Sequence, residues 1–162
     1  MRPRALLAVV LFLAPVSAIA ESPPAEATVR VVPGQSKIAA TGHVRDSGYI
    51  EIAGYLGKST VARLATSIPA AQASATSFSY SGEPVVRVFL NSKGGEVLAA
   101  VQLGRIIRSQ AIEVWVDKSA ECTSACILVL AAGVSRVAIP GARLGIHRPY
   151  FPPEEFAGLS YA

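Results

Sequence analysis

The sequence predicts an α/β fold: a parallel sheet with βαβ crossovers. Three observations carry this. Runs rich in β-branched residues alternate along the chain with stretches of helical spacing, the pattern that a parallel sheet with crossover helices requires. The 162 residues, 51% of them hydrophobic, are enough for one domain with a real core and exclude a wholly disordered chain. Two of the strands lead into turns of small residues that open helices, the place where such sheets gather their sites.

The chain opens with a targeting pattern. Arg2 and Arg4 form a short positive region, Ala5 to Val16 is almost entirely apolar, and Ala18-Ile19-Ala20 sets small residues where a signal peptidase reads. An apolar run this short does not span a bilayer core of roughly 30 Å, so residues 1–20 read as a signal peptide cleaved after Ala20. An uncleaved anchor is the alternative. The expected localisation is periplasmic or secreted. Without Arg2 and Arg4 the formal charge falls from +4 to +2. The remaining basic residues are scattered, which argues against nucleic acid as a partner.

Residues 21–48 read as an N-terminal leader and first strand. Glu21 to Ala27 is expected to be solvated, and Thr28–Val32 to be a strand that Pro33-Gly34 ends. The main domain is placed at 49–149. Tyr49 to Gly54 alternates as a strand. Lys58 to Gln72 has helical spacing through Val61, Leu64, Ala65 and Ile68, with Pro69 expected to bend or end it. Ala73 to Gly82 reads as a loop and Pro84 to Leu90 as a strand. Gly94-Gly95 opens a helix from about Glu96 to Ser109, with Val97, Val101, Leu103, Gly104 and Ile107 near one face. Ile112–Val116 is a second buried strand, Ser124–Ala132 a short apolar helix, and Arg136–Ile139 and Arg143–His147 the last strands. Residues 150–162 form a Pro-rich tail.

Two strand ends are chemically distinctive. After the Val85–Leu90 strand comes Asn91-Ser92-Lys93-Gly94-Gly95. Its glycines permit positive φ and close backbone approach, and the helix that follows offers free N–H groups. The run lacks the Gly-Lys-Ser/Thr ending of a phosphate loop, so an oxyanion site is the better functional reading, against a plain helix-opening turn. After Ile112–Val116 comes Glu121-Cys122-Thr123-Ser124-Ala125-Cys126. A serine hydroxyl here would sit at a helix start, near N–H groups that stabilise an oxyanion; alternatively Thr123 or Ser124 merely caps the helix. His147 ends a strand 23 residues after Ser124, where a neutral imidazole can act as general base. His43 reads as a surface residue. Two cysteines are too few for a disulfide scaffold or a four-cysteine zinc site; neither metal nor cofactor is expected.

Together, Phe89-Leu90-Asn91-Ser92-Lys93-Gly94-Gly95, Cys122-Thr123-Ser124-Ala125-Cys126 and Pro140-Gly141-Ala142-Arg143-Leu144-Gly145-Ile146-His147 resemble the ClpP/crotonase superfamily over roughly Tyr49 to Pro149. The cysteine-flanked serine and the signal pattern resemble its ClpP-like secreted (periplasmic) serine peptidases. The resemblance implies Ser124 as nucleophile, His147 as general base, and the backbone N–H groups of Gly95 and Ala125 as oxyanion hole. Peptide or protein is the implied substrate, and a homo-oligomer a possible partner state.

Two departures stand out. Lys93 replaces the family's usual proline. The family's aspartate lies well beyond the histidine, whereas here only Glu154 and Glu155 follow His147 before Ala162. The expectation is a C-terminally truncated domain, working as a dyad or inactive. Cys122 and Cys126 are a possible disulfide: an oxidising compartment favours it, four-residue spacing within a helix disfavours it, and two buried thiols are the alternative.

A non-catalytic binding or scaffold protein of the same fold is the main rival. A Ser-Lys mechanism is disfavoured because the last lysine, Lys118, precedes the serine. A crotonase-type hydratase would not need Ser124 and His147. No ATPase is implied, since ATP is scarce outside the cytoplasm.

Overall fold

A computed structural model describes residues 24–32, 36–37, 44–45 and 49–147. The signal pattern, His43 and the Pro-rich tail with Glu154 and Glu155 lie outside the described residues. The main sheet has five strands: β1 (Thr28–Val32), β4 (Tyr49–Ala53), β5 (Arg87–Asn91), β6 (Glu113–Val116) and β8 (Arg136–Ala138), in the order β1-β4-β5-β6-β8. Neighbours from β4 to β8 are parallel, while β1 runs antiparallel to β4, so the sheet departs from the all-parallel expectation at that edge. Two short antiparallel strands, β2 (Ser36–Lys37) and β3 (Val44–Arg45), pair with each other.

The helices are α1 (Lys58–Ala73), α2 (Val97–Ser109) and α3 (Cys126–Ala132). The parallel strands follow one another across the sheet in chain order. Right-handed crossovers between such strands put every helix on the same face, and the core agrees. Ile50, Ile52, Val88, Leu90, Val114 and Val116 alternate toward that face and pack with Leu64, Ile68, Leu103, Ile107 and Val129 of the helices. Each such buried side chain contributes roughly 1.5–3 kcal/mol. The opposite face carries Tyr49, Phe89 and Trp115 in ring contact, and there the Arg87 Nε–H donates to Glu113 Oε2 at 3.0 Å.

Several local expectations need correction. Helix α1 continues through Pro69 to Ala73. The proline removes one backbone bond near the helix end, but Ile68 and Ala71 on either side of it are buried, and that packing holds the last turn. The buried stripe of α2 is Ala99, Ala100, Leu103, Gly104 and Ile107; Val97 and Val101 are exposed. Small residues face inward because α2 packs closely on α3: a Cβ at Gly104 would lie 3.1 Å from that of Ala132. Strand β5 begins at Arg87, later than Pro84, and α3 begins at Cys126, later than Ser124.

The leader is not simply solvated. Ala27 is fully buried and its N–H donates to Tyr55 O at 2.6 Å. The Glu26 carboxylate accepts from the Ser59 N–H at 3.0 Å and from the Ser59 hydroxyl. An anion there meets the free N–H groups of the first turn of α1, an interaction worth about 0.3–1 kcal/mol.

Candidate active site

Beyond the carboxyl ends of β4, β5 and β6, the chain continues as a band of single-residue pairings. The Leu56 N–H donates to Gly94 O at 2.9 Å, and the Glu96 N–H to Leu56 O at 2.8 Å. The Ser92 N–H donates to Glu121 O, and the Thr123 N–H to Ser92 O. A further strand, β7 (Glu121–Thr123), pairs in parallel with β9 (Arg143–Gly145). Four segments, from Gly54 to Gly145, therefore lie side by side. Strand β7 was unforeseen: it is three residues long, and its partners are remote in sequence.

Ser124 occupies the turn between β7 and α3, with φ +56°. A side chain held in the left-handed region costs roughly 1–2 kcal/mol, and such strain gathers at functional sites. The Ser124 N–H donates to Gly145 O at 2.9 Å, and Ser124 O accepts from the Ile127 N–H at 3.0 Å. The residue is partly exposed.

The glycine loop packs directly on this turn. Gly94 has φ +106°, and a Cβ there would lie 2.7 Å from Ser124 Cβ and 3.0 Å from Ala125 N. A Cβ at Gly95 would lie 2.3 Å from Leu56 O. Both glycines are thus required by close backbone approach. Among the described residues, neither the Gly95 nor the Ala125 N–H donates to another group. A buried amide without a protein partner is uncommon. Here Ala125 is buried and Gly95 half-buried, and they lie on segments packed against each other.

Ser92 organises the loop, a role that sequence reasoning missed. It is 1% exposed. Its hydroxyl donates to Gly54 O at 2.6 Å and accepts from the Gly94 N–H at 3.0 Å. The only signal in the sequence was a serine closely followed by two glycines, which permits a side-chain turn. Where the resemblance led one to expect proline, Lys93 points to Glu121 (3.9 Å), which also faces Arg143 at 3.6 Å. The loop takes its shape from Ser92 and Leu56. Replacing Ser92 with Ala is expected to lower stability by about 1–3 kcal/mol, because the buried Gly94 N–H and the part-buried Gly54 carbonyl lose their partner; urea titration checks this.

His147 lies two residues past β9 and is exposed. The register of β9 on β7 sets Gly145 beside Thr123, and Gly145 O accepts from the Ser124 N–H. Cys122, in β7, and Cys126, opening α3, are joined by a disulfide with Cα atoms 5.2 Å apart. Cys122 lies outside the helix, so the spacing penalty of a regular helix does not apply. A cleft of about 560 Å³ borders the glycine loop, lined by Gly54, Tyr55, Asn91, Gly94, Gly95 and Glu121, among others. Among the described residues there is no cluster of metal-ligating side chains, and no helix long and apolar enough to cross a membrane.

A model of the Clp protease family matches residues 58–154. The chain belongs to the Clp protease family. Its fold is similar to solved structures of the same kind. ClpP1 from Listeria monocytogenes superposes with a TM-score of 0.52 at 20% identity, over 67% of this chain and 62% of that one. A point mutant of the same ClpP1 gives 0.50 at 21%, over 62% and 56%. A point mutant of the 1510-N membrane-bound stomatin-specific protease gives 0.50 at 19%, over 61% and 46%. This Clp-family chain thus spans about half to three fifths of the length of these structures. No curated protein sequence matches it.

Proposed function

We propose that this Clp-family chain is a serine-type peptide hydrolase acting outside the cytoplasm. One observation carries the reading. Ser124 sits on a left-handed turn packed against a glycine loop, with the amides of Gly95 and Ala125 unengaged by other described residues.

In this mechanism the His147 imidazole takes the proton of Ser124 Oγ as that oxygen attacks a peptide carbonyl. The Gly95 and Ala125 N–H groups stabilise the tetrahedral oxyanion, each by about 3–4 kcal/mol. His147 returns the proton to the leaving amine, and water then releases the acyl group from Ser124. The residue pattern at 1–20 supports action in the periplasm or beyond the cell, and that compartment would keep the Cys122–Cys126 bond oxidised.

The test is labelling with a fluorophosphonate probe, followed by mapping of the adduct by mass spectrometry. An adduct on the peptide holding Ser124 is expected. An adduct elsewhere would overturn the assignment, and no adduct on folded protein would favour the non-catalytic binding module.

A further inference from the structure

We infer that the Cys122–Cys126 disulfide is the positioning element of the Ser124 turn, so that the site becomes competent only after that bond has formed. The inference rests on Ser124 being the nucleophile. The bond encloses Thr123, Ser124 and Ala125, which include the proposed nucleophile and one proposed oxyanion donor. It joins the last paired strand before the turn to the first residue of the helix after it.

The need for such a tie follows from what else holds the turn. On the strand side, the Thr123 and Ser124 N–H groups donate to Ser92 O and Gly145 O. On the helix side, among the described residues, Ser124 O and Ala125 O accept only from the first turn of α3, a helix of seven residues. A helix this short is marginal by itself. The Ala125 N–H must stay unengaged to meet an oxyanion, so it cannot help to hold the turn. The left-handed conformation of Ser124 is also unfavourable for a residue with a side chain. A covalent tie between strand and helix removes the freedom of the turn to relax without occupying either amide.

Both cysteines are fully buried within the core, so small reductants reach the folded bond poorly. Formation proceeds by thiol–disulfide exchange with a disulfide donor. One cysteine thiolate attacks the donor disulfide and the second displaces it. The pair gives up two electrons and two protons, and the donor leaves as its dithiol.

The experiment compares the protein prepared reduced and kept with a phosphine against the same protein oxidised, with Cys122→Ala/Cys126→Ala as a second reduced-like form. Denaturant titration selects conditions in which all three are folded. Amide hydrogen exchange is the primary readout. Exchange at 123–127 is expected to quicken by roughly ten-fold or more in the reduced and double-alanine forms, with β5 unchanged. Peptide turnover is expected to fall by roughly 10²-fold in kcat with KM little changed, as for a displaced catalytic group. Equal exchange at 123–127 in all forms would overturn the positioning role. Loosening confined to this segment, with no fluorophosphonate labelling of any form, would uphold the positioning of the turn and reject the hydrolase reading instead.

Discussion

Replacing Ser124 with Ala is expected to lower peptide turnover by roughly 10⁶-fold with little change in KM, the result for removal of a nucleophile that acts with its base as a unit. A steady-state assay on an unstructured peptide measures both parameters. The backbone adds a second expectation. With φ at +56°, position 124 disfavours any residue with a Cβ, alanine included. Ser124→Gly should be as inactive as Ser124→Ala yet more stable than it by roughly 1 kcal/mol. Equal unfolding midpoints for the two variants would show that the left-handed turn is not maintained.

Replacing Gly94 with Ala should damage both rate and stability. The new methyl would meet Ser124 Cβ at 2.7 Å and Thr123 O at 2.9 Å. These neighbours form the Ser124 turn and cannot yield without moving it. The expected loss is roughly 10²–10³-fold in kcat and about 1–3 kcal/mol in stability. Gly82→Ala is the control. Gly82 also has positive φ, +84°, but nothing lies within 4 Å of a Cβ there. It should lose about 1 kcal/mol for conformation alone and keep full turnover. Similar turnover in the two variants would mean that the loop and the turn are not coupled.

The parts of the fold that were legible in the sequence are those stabilised locally. Val88 and Leu90, and Val114 and Val116, make β-branched or apolar runs that read as buried strands, and Glu96 to Ser109 reads as a helix by period. The side of α2 that faces the core was misread because Val97 and Val101 are larger than Ala99 and Ala100. Close helix packing reverses the weight that size carries in a sequence. Strand β9 was legible as Arg143–His147, two residues too long, but β7 was missed for a different reason. It is three residues long, and its pairing depends on segments far apart in the chain. Within the site, Gly94, Gly95 and Ser124 stood out as unusual residues at strand ends. Ser92 did not, because its importance comes from burial and from Gly54 and Gly94 meeting on its hydroxyl. Glu26 at the start of α1 was hidden likewise, since its partner Ser59 lies 33 residues away in the chain.

The side-by-side pairing of four chain segments also sets when the site can exist. Leu56 is synthesised well before Gly94 and waits for it; Ser92 waits for Glu121 and Thr123; Ser124 waits for Gly145. A ribosome-bound chain that has not yet released Gly145 lacks the carbonyl that receives the Ser124 amide, whatever the state of the main sheet. The sheet can collect its strands progressively in chain order, but the site is completed in a single late event. The Ser124 turn of an emerging chain therefore stays incomplete until Gly145 has joined it.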